Sequence, residues 1–222
     1  MARIPEWPAD EAAAEAIQVS LASLPRPTAA PLRPITVAGL DVAYDPGSDR
    51  VAGAVVVLDA ATLDTVDTVL ETGRASFDYI PGLLAFRELP PLISALEKLA
   101  VPPDLLICDG YGVAHPRRFG LACHLGVLTD LPTIGVAKTP FLGAFQPVGQ
   151  ERGSWSDLRD GDEVLGRVLR TRTGVKPVFV SVGHRAGLDD ACRVVLDLCR
   201  FARLPETTRR ADRAGRDALA RR

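Results

Sequence analysis

Two hydrophobic rhythms divide the chain. Ile35 to Tyr44 and Val51 to Leu58 are dense apolar runs, and Asp45-Pro46-Gly47-Ser48 between them supplies turn residues, so the pattern predicts a hairpin. Thr62 to Leu70 predicts a third, more exposed strand. The rhythm then turns helical from Gly82 to Leu99, where Leu83, Leu84, Phe86, Leu89, Leu92, Ile93, Leu96 and Leu99 recur at roughly helical spacing. Pro90-Pro91 is expected to kink or split that helix. Beyond it, short apolar runs alternate with helical patterns. They predict a strand at Asp104 to Cys108, a helix at Phe119 to Leu128 and a strand at Pro132 to Val136. A long irregular region from Lys138 to Asp162 follows, then strands at Val164 to Arg170 and Pro177 to Val182. Helices at Leu188 to Cys199 and Glu206 to Leu219 close the chain.

Three meandering strands followed by strand and helix in alternation imply an α/β fold, a mixed sheet with helices on both faces. The order resembles the ribonuclease H-like architecture, an analogy that by itself does not settle function. Ahead of it, Asp10 to Ala22 predicts a short helix and Pro25 to Pro34 a Pro-rich linker, with no chemistry visible in either. The expected organisation is therefore a helix and linker over 1–34 and one domain over 35–222. With 222 residues and 47% apolar content, the chain has ample material for a single core.

No apolar run approaches the roughly 20 residues of a membrane span, and Asp10, Glu11 and Glu15 interrupt the segment where a signal peptide would be uncharged. A cytoplasmic protein is expected, without a membrane partner and as a monomer. Cys108, Cys123, Cys192 and Cys199 have no Cys-x-x-Cys spacing and read as reduced core thiols.

Candidate chemistry concentrates between Leu105 and Gly120. An apolar run ends in Asp109, Gly110 and Gly112 bracket the next turn, and His115-Pro116-Arg117-Arg118 follows. A buried strand holds its last residue at the carboxyl edge of a sheet, where open α/β sheets place ligands. Charge sharpens the picture. The net charge of -2 argues against coating nucleic acid through bulk charge, yet Arg200 to Arg222 carries eight arginines against Glu206, Asp212 and Asp217. Asp41 to Glu71 reverses the balance, with seven acids against Arg50. Acids beside basic segments suit a metal-dependent phosphodiesterase, whose cations sit among carboxylates while arginines reach phosphates.

Four acids make the constellation. Asp41 interrupts a core-facing strand, Glu88 lies in an otherwise apolar helix, Asp109 ends the central strand, and Asp212 sits on the last helix among arginines. Read singly, each has an ordinary alternative as a strand end or a surface ion pair. Together they would repel one another unless hard cations neutralise them, and Mg²⁺ or Mn²⁺ favours such oxygen ligands. Those metals activate water and stabilise the leaving oxygen of an in-line displacement. Lys138, just past the strand from Thr133 to Ala137, would place an ammonium over developing phosphorane charge.

Five segments then carry a family resemblance: Gly39-Leu40-Asp41-Val42-Ala43-Tyr44, Tyr79 through Glu88, Asp109-Gly110 with His115-Pro116-Arg117-Arg118, Gly135-Val136-Ala137-Lys138, and Ser181-Val182-Gly183-His184-Arg185. In this order they resemble endonuclease V, the inosine-directed repair nuclease, from about residue 35 to residue 213. The resemblance implies Asp41, Glu88, Asp109 and Asp212 as metal-binding carboxylates and Lys138 as the catalytic lysine. It implies Tyr79-Ile80-Pro81 as a wedge that replaces the stacking of a flipped base. It further implies a base pocket at Gly82, Leu84, Gly110, Gly120, Leu121, Gly135 and Ala137, with His115, Arg117 and Arg118 on the strand or its phosphates.

Two positions depart from the family pattern: Asp78 precedes the wedge where Pro is usual, and Tyr111 stands where Gln or His is more typical. The implied activity is Mg²⁺-dependent nicking of DNA at the second phosphodiester bond 3′ to deoxyinosine, leaving 3′-hydroxyl and 5′-phosphate. The alternatives are an inosine-specific ribonuclease acting on RNA with the same residues, and a non-catalytic lesion-binding module. An unrelated nucleotide-dependent phosphotransferase lacks its Gly-x-x-x-x-Gly-Lys loop here.

Overall fold

The apolar runs of the first half build the middle of one sheet in this computed structural model, which describes residues 7–28 and 30–221. β1 (Thr36–Tyr44) and β2 (Arg50–Asp59) form the expected hairpin, with Asp41 opposite Ala54. β3 (Thr65–Arg74) pairs antiparallel with β2 and alternates between exposed and half-buried positions, as a solvent-facing edge should. On the other side of β1 lie β4 (Leu105–Asp109) and β5 (Thr133–Ala137), both parallel to it. The antiparallel strands β8 (Val178–His184), β7 (Glu163–Leu169) and β6 (Trp155–Asp160) follow. The full order is β3-β2-β1-β4-β5-β8-β7-β6, a single mixed eight-stranded sheet.

Among the described residues five helices cover it: α1 (Glu11–Leu21), α2 (Leu84–Glu97), α3 (Leu121–Thr129), α4 (Leu188–Leu198) and α5 (Glu206–Ala220). The period of two along each strand sorts the core into two layers. Val37, Ile107, Val180 and Val195 belong to one cluster, which includes residues of α4 and α5. Leu40, Val55, Leu89, Leu106 and Leu125 belong to the other, which includes residues of α2 and α3. Adjacent strand residues such as Leu106 and Ile107 thus serve opposite faces, the mixed α/β sandwich that the pattern implies. No helix among the described residues is long and apolar enough to cross a membrane.

Three details differ from the sequence expectations. The region 138–162 is not irregular throughout, because it contains β6. Only Leu158 is buried in that strand, so its polar edge carries almost no hydrophobic signal. α2 is not split, and runs as one helix through Pro90 and Pro91. β2 makes room for them with Gly53, where a Cβ would lie 2.8 Å from the Pro91 Cβ. The helix also begins at Leu84 rather than Gly82, because Gly82 has φ +88°, a left-handed turn conformation outside the helix.

Close approach of α5 to β1 decides where Asp212 stands. A Cβ on Gly39 would lie 2.1 Å from the Thr207 carbonyl carbon, so only glycine lets the start of α5 cross the strand. Farther along, a Cβ on Gly215 would meet the Ala43 Cβ at 3.1 Å, and Asp212 lies between these two contacts.

Candidate active site

The acids gather where β4 ends beside β1. Leu40 is the register partner of Cys108, so the next residues, Asp41 within β1 and Asp109 at the end of β4, stand side by side. β5 pairs Val136 with Asp109, and Lys138, two residues on, sets its Nζ against Asp109 Oδ2. From above, α2 lowers Glu88 into the same region, where the side chain is buried and accepts a 3.0 Å hydrogen bond from the Tyr44 hydroxyl. The Arg87 guanidinium covers the Tyr44 ring at 4.9 Å. Asp212 reaches the group electrostatically from α5 while accepting from Arg216 on its own helix.

Electrostatics binds these residues into one unit. Burial, then the negative charges of Asp109 and Asp212, push the Asp41 carboxyl up to about 7, although Lys138 opposes the shift. Burial, then the Asp41 charge, push Glu88 up to about 8 against the hydrogen bond from Tyr44. Tyr44 is itself held protonated, first by burial and then by Glu88, so its hydroxyl stays a donor. Burial pulls the Lys138 ammonium down, but the Asp109 hydrogen bond and the charges of Asp109, Asp41 and Asp212 outweigh it and raise its affinity for the proton. Among the described residues, no three His, Cys, Asp or Glu side chains converge tightly enough to chelate an ion as they stand.

A cavity of about 110 Å³ is lined in part by Ala85, one turn before Glu88 on α2, and by Tyr111, two residues after Asp109. Its volume is well below the roughly 300–1,000 Å³ of pockets for drug-sized ligands, a size for a single ring system. Tyr79, Ile80, Pro81, Gly82 and Leu84 line it, together with Gly120 and Leu121 at the start of α3. Tyr79 is 68% exposed, whereas Ile80 packs on the cluster of Ala14, Leu83 and Phe86. Besides Tyr79, the aromatic rings Tyr111 and Phe141 line the cavity, stacked at 5.3 Å, with the Tyr111 hydroxyl tied to the Thr139 carbonyl. His115 also lines the cavity and donates from Nε2 to the Gly82 carbonyl at 2.9 Å, while its Nδ1 accepts from the Arg117 amide. Burial, with Arg117 and Arg118 alongside, lowers its pKa to about 4 and keeps the ring neutral.

Of the residues expected to form a base pocket, Gly82, Leu84, Gly120 and Leu121 line this cavity, whereas Gly110, Gly135 and Ala137 do not. Gly135 instead lets the 110–112 turn lie on β5, since its Cβ would sit 2.6 Å from the Gly112 nitrogen. Ala137 packs with Ala114, Leu158 and Phe179. Arg117 and Arg118 are both engaged within the chain: Arg117 pairs with Glu15 and Gln18, and Arg118 with Asp160 and Glu163. Sequence reasoning missed Gln18, Ala85 and Phe141 among the lining residues. Gln18 carried a signal, a large amide at an inward position of an Ala-rich helix, but its partners lie far along the chain.

The family model described as Endonuclease V matches residues 19–213. The endonuclease V of Streptomyces avermitilis is 57% identical over 98% of this chain and 96% of its own length. The crystal structure of endonuclease V from that organism superposes with a TM-score of 0.92 at 56% identity, covering 98% of this chain and 97% of the other. Endonuclease V of Ciona intestinalis, crystallised with a 24mer DNA containing an inosine followed by a ribo-adenosine, has a TM-score of 0.81 at 28% identity, over 93% and 96% of the two chains.

Proposed function

Since the chain belongs to the endonuclease V family and is thus a nuclease, we propose that it recognises deoxyinosine in DNA as a repair enzyme. It hydrolyses the second phosphodiester bond on the 3′ side, leaving a 3′-hydroxyl and a 5′-phosphate, and it depends on Mg²⁺, with Mn²⁺ as a substitute. The observation that carries the reading is the pairing of a desolvated, mutually repelling acid cluster with a cavity sized for one base.

Asp41, Asp109, Glu88 and Asp212 would hold the cation. Their fit rests on donor chemistry: all are carboxylate oxygens, and the protons that burial and mutual repulsion keep on Asp41 and Glu88 are those a divalent cation displaces. When bound, such a cation supplies charge for water activation and for the leaving oxygen. The chain's own groups do the rest. The Glu88 carboxylate, held in place by the Tyr44 hydroxyl, takes the proton of the attacking water. The Lys138 ammonium stands beside Asp109 to neutralise charge on the phosphoryl oxygens.

At the cavity, Tyr79-Ile80-Pro81 fills the gap left by the extruded nucleotide, with exposed Tyr79 stacking on its former neighbours. The base enters against Leu84 and Leu121. The start of α3 there favours an acceptor such as O6 of hypoxanthine, because first-turn N–H groups and the helix dipole attract negative charge. His115 stays neutral and spends its hydrogen bond on Gly82, so it shapes the wall rather than gripping phosphate.

The ribo-adenosine after inosine in the Ciona intestinalis complex favours a second reading, cleavage of inosine-containing RNA by the same residues. The test compares wild type with Asp41→Ala on matched labelled strands carrying deoxyinosine or inosine, with Mg²⁺ or chelator. Metal-dependent nicking at deoxyinosine that the substitution abolishes supports the DNA reading. Faster cutting at inosine in RNA moves the substrate to RNA, and retained nicking in Asp41→Ala sinks the assignment of the acids.

A further inference from the structure

Gln18 projects from α1 into the structure and is only 1% exposed, with every polar atom of its amide engaged. Its Nε2 donates to the Gly82 carbonyl at 2.9 Å and to the Phe119 carbonyl at 3.2 Å, and its Oε1 accepts from Arg117 Nε at 2.6 Å. Gly82 and Gly120, the latter next to Phe119, both line the base cavity. One side chain therefore bridges the segment behind the wedge to the segment that opens α3.

The Gly82 carbonyl also accepts from His115 Nε2 and from Arg117 Nη2 at 3.1 Å, so donors from α1 and from the 115–117 loop converge on one oxygen. The turn at Gly120 is close-packed, since a Cβ there would lie 2.4 Å from the Tyr111 carbonyl oxygen. Among the described residues, Gln18 alone ties that turn, through the Phe119 carbonyl, to the Gly82 segment, at a spacing matched to the length of its side chain.

We infer that Gln18 is a positioning residue that sets the width of the cavity and thereby selects hypoxanthine against guanine, an inference that rests on the deoxyinosine reading above. Guanine is hypoxanthine with a 2-amino group added, so a cavity of fixed width rejects it by volume and by an unpaired donor. Releasing the bridge takes the Gln18 donor from the Phe119 carbonyl and leaves the Gly82 carbonyl held by the 115–117 loop alone, which frees the two segments to separate and softens the rejection. The N-terminal helix then belongs to the recognition machinery.

The experiment measures kcat/KM for wild type, Gln18→Met and Gln18→Asn on duplexes that differ only in deoxyinosine or mispaired deoxyguanosine at one position. Thermal unfolding is followed in parallel. Met keeps the volume and removes every hydrogen bond, while Asn keeps the amide and shortens the bridge by one methylene. The expected result is a fall of about tenfold or more in the deoxyinosine-to-deoxyguanosine ratio for both variants. A ratio equal to wild type in either folded variant overturns the inference. Failure of both variants to fold also overturns it, because Gln18 would then serve the fold and not selection. A wild type that does not cut deoxyinosine fails the underlying reading instead, and that failure appears before any variant is compared.

Discussion

Lys138 and Asp109 are held in a salt bridge at the ends of the neighbouring parallel strands β5 and β4. The parallel register brings the two side chains together, and it gives an ammonium to a cluster otherwise made of acids. The contact is half open to solvent on the lysine side, so it contributes little to stability.

Lys138→Met should therefore separate chemistry from folding. The melting temperature is expected to stay within a few degrees of wild type, as for other exposed ion pairs. Single-turnover nicking at deoxyinosine should fall by about 10² to 10³, the range for losing one preorganised charge at a transition state. Binding measured by anisotropy in Ca²⁺ should change far less. Retained nicking would remove Lys138 from the reaction.

Glu88→Gln should stabilise the metal-free protein, and more so as the pH rises. Burial raises the folded-state pKa of Glu88 to about 8, above the ordinary 4.5 that an unfolded chain shows. The folded state therefore holds a proton that the unfolded chain has released. The advantage of the folded form is complete below pH 4.5, declines between 4.5 and 8, and is lost above 8. Melting curves in chelator at pH 5, 7 and 9 should fall with pH for wild type and flatten for Glu88→Gln, which should also lose nicking.

His124 gives the opposite slope. Its ring sits among Phe86 at 5.1 Å, Phe119 at 5.2 Å and Trp7 at 6.4 Å, and neither nitrogen has a hydrogen-bond partner among the described residues. Burial lowers its pKa from 6.5 to about 4. Its neutral form is unpenalised above pH 6.5, and stability drains as the pH falls from 6.5 toward 4, where the unfolded chain takes the proton first. The loss is on the order of 3 kcal/mol when complete. His124→Leu should melt higher than wild type at pH 4.5 by more than it does at pH 7.5.

Gly39→Ala should damage fold and chemistry together. The added methyl would lie 2.1 Å from the Thr207 backbone, so α5 must shift away from β1 and carry Asp212 with it. Overpacking of this kind costs roughly 1–3 kcal/mol, or about 2–12 °C in melting temperature for a chain of this size. A Mg²⁺ titration of nicking should move to higher concentration. An unchanged melting point would show that α5 adjusts more freely than its packing implies.

Tyr79→Ala tests the wedge from outside the fold. The side chain is 68% exposed, so melting should be unchanged. Loss of stacking is expected to weaken binding to deoxyinosine duplex by about 1–3 kcal/mol, and less on a single strand, which has no gap to fill. Equal losses on both substrates would contradict a wedge role.

The chain by itself determined the architecture and the family. Dense apolar runs in Thr36–Tyr44 and Leu105–Asp109, buried almost throughout, and helical spacing after Leu84 are local patterns, and burial follows local patterns directly. Asp41, Asp109 and Lys138 were legible as a group because Asp109 and Lys138 stand at neighbouring strand ends and Asp41 interrupts the apolar strand beside them. The tertiary structure decided what no local signal encodes. β6 forms because Ala144 and Leu169 offer edges to pair with, despite a polar sequence. Arg117 and Arg118 turn inward to Gln18, Glu15, Asp160 and Glu163 because those acceptors are brought beside them by distant segments. The same holds for which glycines line the cavity and for the reach of Gln18 across 64 and 101 residues of sequence. Hydrogen bonds between distant segments depend on the relative placement of whole elements, and that placement is settled by packing the two faces of the sheet at once.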